Sequence, residues 1–445
     1  MDPIRVLVVD DTAVVRRLVT EVLAEAEGIE VAGTASNGRH ALQQIGLLNP
    51  DVVTLDVEMP VMDGLTTLAE LRHRWPSLPV IMFSTLTARG ASATLDALSL
   101  GANDYVTKPS ATRNREAALE AVRTSLLPLV HLWGRRKARS APGALPVPGR
   151  AVGPRPAGPP VPGPAVGPRP PAAPVDLRSE PHAPASPSAP ARPGGLAPRP
   201  VHAPEPAASA SAASALAARA ASAAPAPAAA GARTGQRSPV PLDRRPPLGV
   251  VLGISTGGPQ ALQRVIPMLP RTLTVPVVVV QHMPPVFTRL LAERLDASSI
   301  VPVRESEDGM PVEAGHVYIA AGGCHTRIAM ESGALVLRHD DAPPENSCRP
   351  AVDFTMRSAH AVWGSRTLAV VMTGMGQDGL EGARLLRSSG GSVFVQDEAT
   401  SVVWGMPGAV EKDGIAERVL PLDDIAGAIV MATDRSFDLS RTGTR

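Results

Sequence analysis

Short apolar runs rich in β-branched residues recur along this chain, and each ends in a polar residue. In the first 110 residues these runs alternate with stretches whose apolar residues return every three or four positions, the spacing of an amphipathic helix. Strands that alternate with helices pair in parallel through right-handed crossovers. The pattern therefore predicts an α/β fold with a parallel sheet. Its predicted strands are residues 4–9, 30–35, 51–56, 79–84 and 105–109.

The residues that follow these strands predict a binding site. In open parallel sheets, functional groups gather beyond the carboxyl ends of the strands. Three carboxylates would repel each other there without a hard cation among them, and Mg²⁺ prefers such oxygen ligands. A lysine and a hydroxyl beside them suit the oxygens of an added phosphoryl group. Five such residues are unlikely to meet at one edge by chance. They are Asp10, Asp11, Asp56, Ser84 and Lys108.

A second α/β region begins with residues 248–261, LGVVLGISTGGPQA. A buried strand ends at Gly253, and a helical pattern resumes after Pro259. The spacing G-x-S-x-G between them turns the backbone sharply, exposes Ser255 at the sheet edge and leaves amide groups free at a helix N-terminus. One interpretation is a nucleophile facing an oxyanion hole. The other is a glycine-rich loop that binds a phosphate or a dinucleotide, and the motif alone does not decide.

Two further strand ends supply partners for this serine. His282 directly follows the predicted strand 275–280, and Asp378 lies in a glycine-rich turn after the predicted strand 367–372. A serine hydroxyl needs a base to remove its proton, and a carboxylate fixes the tautomer of an imidazole base. Asp378 alone would equally suit a helix N-cap. Together the three residues predict acyl transfer, in a chain order that differs from that of α/β-hydrolases.

The region between the two folded parts has a different composition. It holds most of the 48 prolines, with much alanine and arginine, so it has little apolar surface to offset the entropy of ordering. We expect a solvated tether, and docking of its arginines on an acidic surface is the alternative. The predicted organisation is 1–125, the first domain; 126–247, a mostly disordered linker; 248–434, the second domain; and 435–445, a tail.

Charge and cysteine content narrow the class of protein. Residues 139–245 carry twelve arginines and four acidic residues, so the rest of the chain is net negative. This argues against nucleic acid as the partner of the folded parts, and the second domain lacks a helix-turn-helix pattern. Two cysteines suggest no disulfide framework. Without a signal peptide or a long apolar run, we expect a cytoplasmic protein that is not inserted in a membrane.

Residues 1–125 resemble the receiver domain of two-component response regulators. The similarity lies in DD after the first strand, LDVEMPVMDG and VTKP. It implies a flavodoxin-like fold in which Asp56 accepts a phosphoryl group from a CheA-type histidine kinase. Asp11, Asp56 and the Glu58 backbone would hold Mg²⁺, with Asp10 acting through water. Lys108 would contact the phosphoryl group, while Ser84 and Tyr105 would report phosphorylation.

The second region resembles the CheB family of chemotaxis methylesterases, in GISTGGPQAL, VVVVQHMPPVFT, VYIAAGG, NSCRPAVDFTM and VMTGMGQDG. The resemblance implies a Rossmann-like domain with Ser255, His282 and Asp378 as nucleophile, base and orienting acid. The Met375 amide and the Thr256 region would form the oxyanion hole.

In that family, glutamate methyl esters of methyl-accepting chemotaxis receptors are hydrolysed to methanol and glutamate, and receptor glutamines are deamidated. The hydrolase step would need no metal. We expect a monomer in which the unphosphorylated receiver covers the Ser255 cleft, although the linker is longer than is usual.

Overall fold

The structure is a computed structural model, and it describes residues 2–109, 114–139, 242–243 and 245–434. Most of the predicted linker and the predicted tail lie outside the described residues. The described parts contain two parallel β-sheets, each in its own domain, and an antiparallel β-hairpin. None of the described helices combines the length and the apolar content that crossing a membrane would require.

The first domain is a five-stranded parallel sheet in the order β2-β1-β3-β4-β5. This is the flavodoxin-type order expected from the sequence. Helices α1 and α5 pack on one face, and α2, α3 and α4 follow one another on the other. Predicted strand ends agree with the structure to within two residues. The elements are β1 (Ile4–Val9), α1 (Ala13–Ala24), β2 (Ile29–Ala35), α2 (Gly38–Leu48), β3 (Val52–Asp56), α3 (Gly64–Arg74), β4 (Val80–Ser84), α4 (Ala88–Ser99), β5 (Asp104–Thr107) and α5 (Arg115–Arg139).

Helix α5 is longer than the predicted first domain allows. It continues to Arg139, so the predicted boundary at residue 125 falls inside a helix. Val122, Leu126 and Val130, one helical turn apart, are buried against the sheet. This apolar stripe crosses the predicted boundary and explains why the helix does not end there.

The second domain is built on a seven-stranded parallel sheet in the order β14-β13-β12-β6-β7-β9-β8. Side chains alternate between two cores: Val250 and Leu252 pack under α6, α7 and α11, and Val251 packs under α8 and α9. The elements are β6 (Gly249–Ile254), α6 (Gly258–Val265), β7 (Val277–Gln281), α7 (Phe287–Ser298), β8 (Val303–Glu305), β9 (Val317–Ile319), β10 (His325–Glu331), β11 (Ala334–Asp340), α8 (Val352–Trp363), β12 (Thr367–Val371), α9 (Leu380–Ser388), β13 (Ser392–Gln396), α10 (Met406–Lys412), β14 (Arg418–Leu420) and α11 (Leu422–Thr433).

The topology of this sheet places the predicted catalytic residues side by side. Strand β6 pairs with β7 on one side and with β12 on the other. Helix α6, which follows β6, packs on one face of the sheet, and α8, which precedes β12, packs on the other, so a crevice opens beyond the carboxyl ends of the three strands. Ser255 follows β6, His282 follows β7, and Asp378 lies in the loop after β12. Three neighbouring strand ends therefore meet at one crevice, as expected from the sequence.

Candidate active site and phosphorylation site

Ser255 lies in a tight turn between β6 and α6. Its backbone N–H donates to Thr373 O at 3.0 Å, and its carbonyl accepts from Gln281 Nε2 at 3.0 Å. Gly257 has φ +79°, and a Cβ on Gly258 would lie 1.9 Å from Gln281 Oε1. The two glycines therefore permit the left-handed turn and the close approach of Gln281, which together fix the position of the serine.

His282 and Asp378 form a buried hydrogen-bonded pair. His282 Nε2 lies 2.8 Å from Asp378 Oδ2, and the two side chains are 10% and 3% exposed. An ionised carboxylate only accepts hydrogen bonds, so Nε2 carries the proton and donates it. In the neutral imidazole, Nδ1 is then the atom left to accept a proton from a nucleophile.

Three backbone amides also bind the carboxylate of Asp378. Oδ2 accepts from Val352 N at 2.6 Å, while Oδ1 accepts from Asp353 N and Gly379 N, each at 3.0 Å. Val352 and Asp353 open helix α8, so the carboxylate lies at a helix N-terminus. Asp378 thus binds the start of a helix, as the alternative N-cap role predicted. That helix is α8, and not α9, the helix that follows Asp378 in the chain.

These contacts set the protonation of the pair. Burial alone raises the pKa of Asp378, but the hydrogen bond and charge of His282, together with the two α8 amides, outweigh it and lower the pKa to about 2. Burial favours neutral His282, yet hydrogen bonds to Asp378 and Cys348 outweigh it and raise the pKa to about 9. Asp378 is therefore the fixed anion, and His282 is a strengthened base.

Ser255 and His282 line the same cavity, of about 490 Å³, but their side chains are not hydrogen-bonded. Among the described residues, the Ser255 hydroxyl makes no hydrogen bond. His282 Nδ1 instead lies 3.4 Å from the sulfur of Cys348, a residue that the sequence interpretation did not place at the site. Thr256 and Met375, predicted at the oxyanion hole, line this cavity too.

The cavity is walled on its other side by the first domain. The first domain and the second belong to one compact unit, and Leu98, Tyr105 and Pro128 of the former line the cavity with Ser255. The Tyr105 ring stacks on Phe287 of α7, with centroids 4.9 Å apart and planes at 11°. The predicted switch aromatic therefore packs directly against the domain that carries the serine.

Helix α4 of the first domain also docks on the second domain. Arg294 of α7 forms an ion pair with Asp96 at 2.8 Å, and its guanidinium donates to Ser92 O at 2.8 Å and to Ser92 Oγ at 3.1 Å. Gln260 of α6 donates to Ala102 O at 3.2 Å. These contacts hold α4 and the start of β5 across the mouth of the serine crevice.

The other predicted cluster is assembled at the carboxyl edge of the first sheet. Lys108 Nζ lies 2.9 Å from Asp10 Oδ2 and 2.7 Å from Asp56 Oδ2. Asp10, Asp11 and Asp56 each offer a carboxylate oxygen within 4.8 Å of the others. Burial raises the pKa of Asp10, and it raises that of Asp56 to about 6 although Lys108 opposes the shift. Buried carboxylates that resist ionisation form the oxygen donor set that Mg²⁺ would stabilise.

The remaining predicted receiver residues surround this cluster. The Glu58 backbone N–H donates to Asp56 Oδ1 at 3.3 Å, and its side chain pairs with Arg89 at 3.2 Å. The Glu58 main chain is therefore the part that faces Asp56. The buried Ser84 hydroxyl donates to Gly90 O at 3.0 Å, at the start of α4, which links the strand end to the helix that docks on the second domain.

The two domains and their sites define a class: response regulators whose output domain is an α/β domain with a serine, a histidine and an aspartate at its sheet edge. The family model for the response regulator receiver domain matches residues 6–120, and that for CheB methylesterase matches residues 250–429. A protein-glutamate methylesterase/protein-glutamine glutaminase of Nocardioides sp. is 43% identical over 434 residues, 97% of this chain and 95% of that protein. The chain belongs to the CheB family, which confirms the resemblance found in its sequence.

A second relative carries the same description, and a similar solved structure is a CheB methylesterase domain. The protein-glutamate methylesterase/protein-glutamine glutaminase of Trichodesmium erythraeum is 38% identical over 430 residues, 97% of this chain and 99% of that protein. The crystal structure of the catalytic domain of Thermotoga maritima CheB methylesterase is 45% identical and covers 42% of this chain and 98% of that chain, with a TM-score of 0.41.

Proposed function

We propose that this chain is a phosphorylation-activated protein-glutamate methylesterase and protein-glutamine glutaminase. It hydrolyses glutamate methyl esters of methyl-accepting chemotaxis receptors to glutamate and methanol, and it deamidates receptor glutamines. The observation that carries the proposal is the 2.8 Å pair of His282 and Asp378, with His282 lining the same cavity as Ser255, within a chain of the CheB family. We place the enzyme in the cytoplasm and expect it to act as a monomer.

In this proposal each residue of the trio has one role. Ser255 Oγ attacks the side-chain ester carbonyl while His282 Nδ1 takes the hydroxyl proton. Asp378 stays ionised, holds Nε2–H and stabilises the imidazolium. The Met375 amide and the Thr256 region stabilise the negative charge on the carbonyl oxygen. His282 then returns its proton to the departing methoxide, and methanol leaves.

The second half-reaction restores the serine. Water gives a proton to His282 and attacks the acyl-enzyme, and the collapsing intermediate releases glutamate as Ser255 recovers its proton from the imidazolium. A glutamine amide follows the same route with ammonia as the leaving group. In the docked arrangement the Ser255 hydroxyl is not hydrogen-bonded to His282 within the described residues, so we interpret this arrangement as the inhibited form.

Regulation starts at Asp56, which accepts a phosphoryl group from a CheA-type histidine kinase. Asp11, Asp56 and the Glu58 backbone, with Asp10 acting through water, would hold Mg²⁺, whose positive charge would stabilise the phosphoryl oxygens. Lys108 contacts the phosphoryl group in place of the Asp56 carboxylate that it now binds at 2.7 Å. We infer that this exchange, reported through Ser84 and Tyr105, weakens the docking of the receiver on the serine crevice.

The test is methanol release from methylated receptor membranes, with and without acetyl phosphate. Ser255→Ala should lower the activated rate by several orders of magnitude, because loss of a triad nucleophile leaves only residual catalysis. The control is Ser388→Ala, which removes an exposed hydroxyl at the end of α9 that donates to Leu385 O, and it should keep the wild-type rate. Substantial methanol release by Ser255→Ala would show that the assignment is wrong.

A further inference from the structure

A tight turn at Glu345–Cys348 contacts the active site, although it belongs to none of the three strands, β6, β7 and β12, whose ends form that site. Glu345 N donates to Cys348 O at 3.1 Å, and Cys348 N donates to Glu345 O at 2.9 Å. The two central residues, Asn346 and Ser347, have φ of +51° and +62°. Successive left-handed residues are those of a type I′ turn, and for residues other than glycine they are uncommon and costly. Such a turn persists only where surrounding contacts hold it.

One such contact ties the turn to helix α8. Arg357 of α8 binds both carboxylate oxygens of Glu345 at 2.6 Å. Because two nitrogens of the guanidinium bind the two carboxylate oxygens, this pair fixes the orientation of the turn on α8 as well as its distance from the helix. Helix α8 is also the helix whose first amides bind Asp378, so the turn and the catalytic carboxylate share one rigid support.

The side chain of Asn346 bridges two buried carboxylates. Its Nδ2 donates to Asp378 Oδ1 and to Asp353 Oδ2, each at 3.0 Å, and both acids are almost fully buried. Gly382 N holds the other oxygen of Asp353 at 2.7 Å. Two neighbouring carboxylates in a buried site repel each other, and the amide group between them offers a hydrogen bond to each. Asn346 therefore binds Oδ1 of Asp378, while His282 binds Oδ2.

The last residue of the turn touches the other member of the pair. The sulfur of Cys348 lies 3.4 Å from His282 Nδ1, the atom that must take the proton of Ser255. One turn thus supplies a contact to the carboxylate through Asn346 and a contact to the free ring nitrogen through Cys348. Neither residue lies at a strand end, and neither is buried in the core.

We propose that the Glu345–Cys348 turn is a positioning element of the active site, in which Asn346 orients the Asp378 carboxylate and Cys348 holds the Nδ1 edge of His282. The inference rests on the proposed function and assigns no covalent role to either residue. Cys348 also adds to the basicity of His282: after Asp378, its hydrogen bond is the next contact that raises the pKa of the imidazole. The charged groups around the ring are Asp378, Asp353 behind it, and the Arg357–Glu345 pair at the base of the turn.

Asn346→Gly in the full-length, acetyl phosphate-treated chain is the first test. Glycine adopts φ +51° without strain, so the turn persists while the bridging amide is lost. We expect kcat to fall by about 100-fold, the usual cost of a displacement near 1 Å at a catalytic group, with KM and Tm close to wild type. The matched control is Ser332→Gly, which relieves the same left-handed strain (φ +49°) in the β10–β11 hairpin turn. A kcat within twofold of wild type in Asn346→Gly would overturn the role of the amide.

The pH dependence of kcat/KM tests Cys348. The base must be neutral to act, so the rate rises through the pKa of His282 in the free enzyme. Because Cys348 raises that pKa, Cys348→Ala should move the rising limb to lower pH, and Cys348→Ser, which keeps a hydrogen-bonding group, should lie between Ala and wild type. An unmoved limb in Cys348→Ala would refute the contact.

If Ser255→Ala is inactive while all three turn variants behave as wild type, the positioning inference fails and the proposed function stands; an active Ser255→Ala would refute the proposed function itself.

Discussion

Removing Arg294 should release the receiver from the serine crevice. Its guanidinium joins α7 of the catalytic domain to α4 of the receiver through the ion pair with Asp96 and two hydrogen bonds to Ser92. Asp96 is half exposed, so the ion pair contributes at most about 1 kcal/mol. The hydrogen bonds from a charged donor, discounted for their partial exposure, add about 1 kcal/mol. Arg294→Ala should therefore weaken docking by about 2 kcal/mol.

This free energy converts directly into a rate. Each 1.4 kcal/mol is a factor of ten in an equilibrium constant, so the open fraction should rise about 30-fold when most molecules are docked. Methanol release by the unphosphorylated chain should rise in the same proportion, up to the rate of the acetyl phosphate-treated wild type. Asp96→Ala, which removes only the ion pair, should give a smaller rise.

The assay compares basal and activated methanol release on the same methylated membranes. Arg289→Ala is the matched control, because Arg289 lies on α7, is half exposed and pairs with Glu293 of its own helix at 3.4 Å. It should leave the basal rate unchanged. An unchanged basal rate in Arg294→Ala, with activation by acetyl phosphate intact, would refute docking through α4 as the source of inhibition.

Two further predictions concern protons and metal. Burial raises the pKa of Asp104 to about 7, although Tyr105 N and Thr256 of the catalytic domain oppose the shift; the docked form thus retains a proton that a free carboxylate loses near 3.8. Docking should weaken as pH rises from about 4 to about 7, so the ratio of basal to activated rate should rise over that window, and Asp104→Asn should flatten it. Chelation of Mg²⁺ should abolish activation by acetyl phosphate, as Asp56→Asn should, and leave the basal rate unchanged; loss of the basal rate on chelation would contradict the metal-free hydrolase step.

The sequence predicted those functional residues that follow a buried strand. Ser255, His282 and Asp378 were found because each follows an apolar run, and the same rule located Asp56 and Lys108. Strands β8 and β14 were missed because each has three residues and lies at a sheet edge, too short and too exposed to show a pattern. Asn346 and Cys348 were missed for another reason: they reach the site through a turn that is held by an ion pair between residues twelve apart in the sequence, and no local periodicity indicates such a contact.

Only a short stretch of chain separates the phosphorylation site from the residues that contact the catalytic domain. Strand β5 begins with Asp104 and Tyr105, which contact Thr256 and Phe287 of the catalytic domain, and Lys108, which binds Asp56 at 2.7 Å, follows it directly. A hydrogen-bonded strand in a packed sheet does not deform smoothly, so a displacement of Lys108 toward a phosphoryl group acts on the two residues that meet the catalytic domain. The predicted linker affects a different step. Its length lowers the effective concentration of one domain at the other and so affects how often docking occurs, whereas we expect β5 to determine whether the docked form withstands phosphorylation.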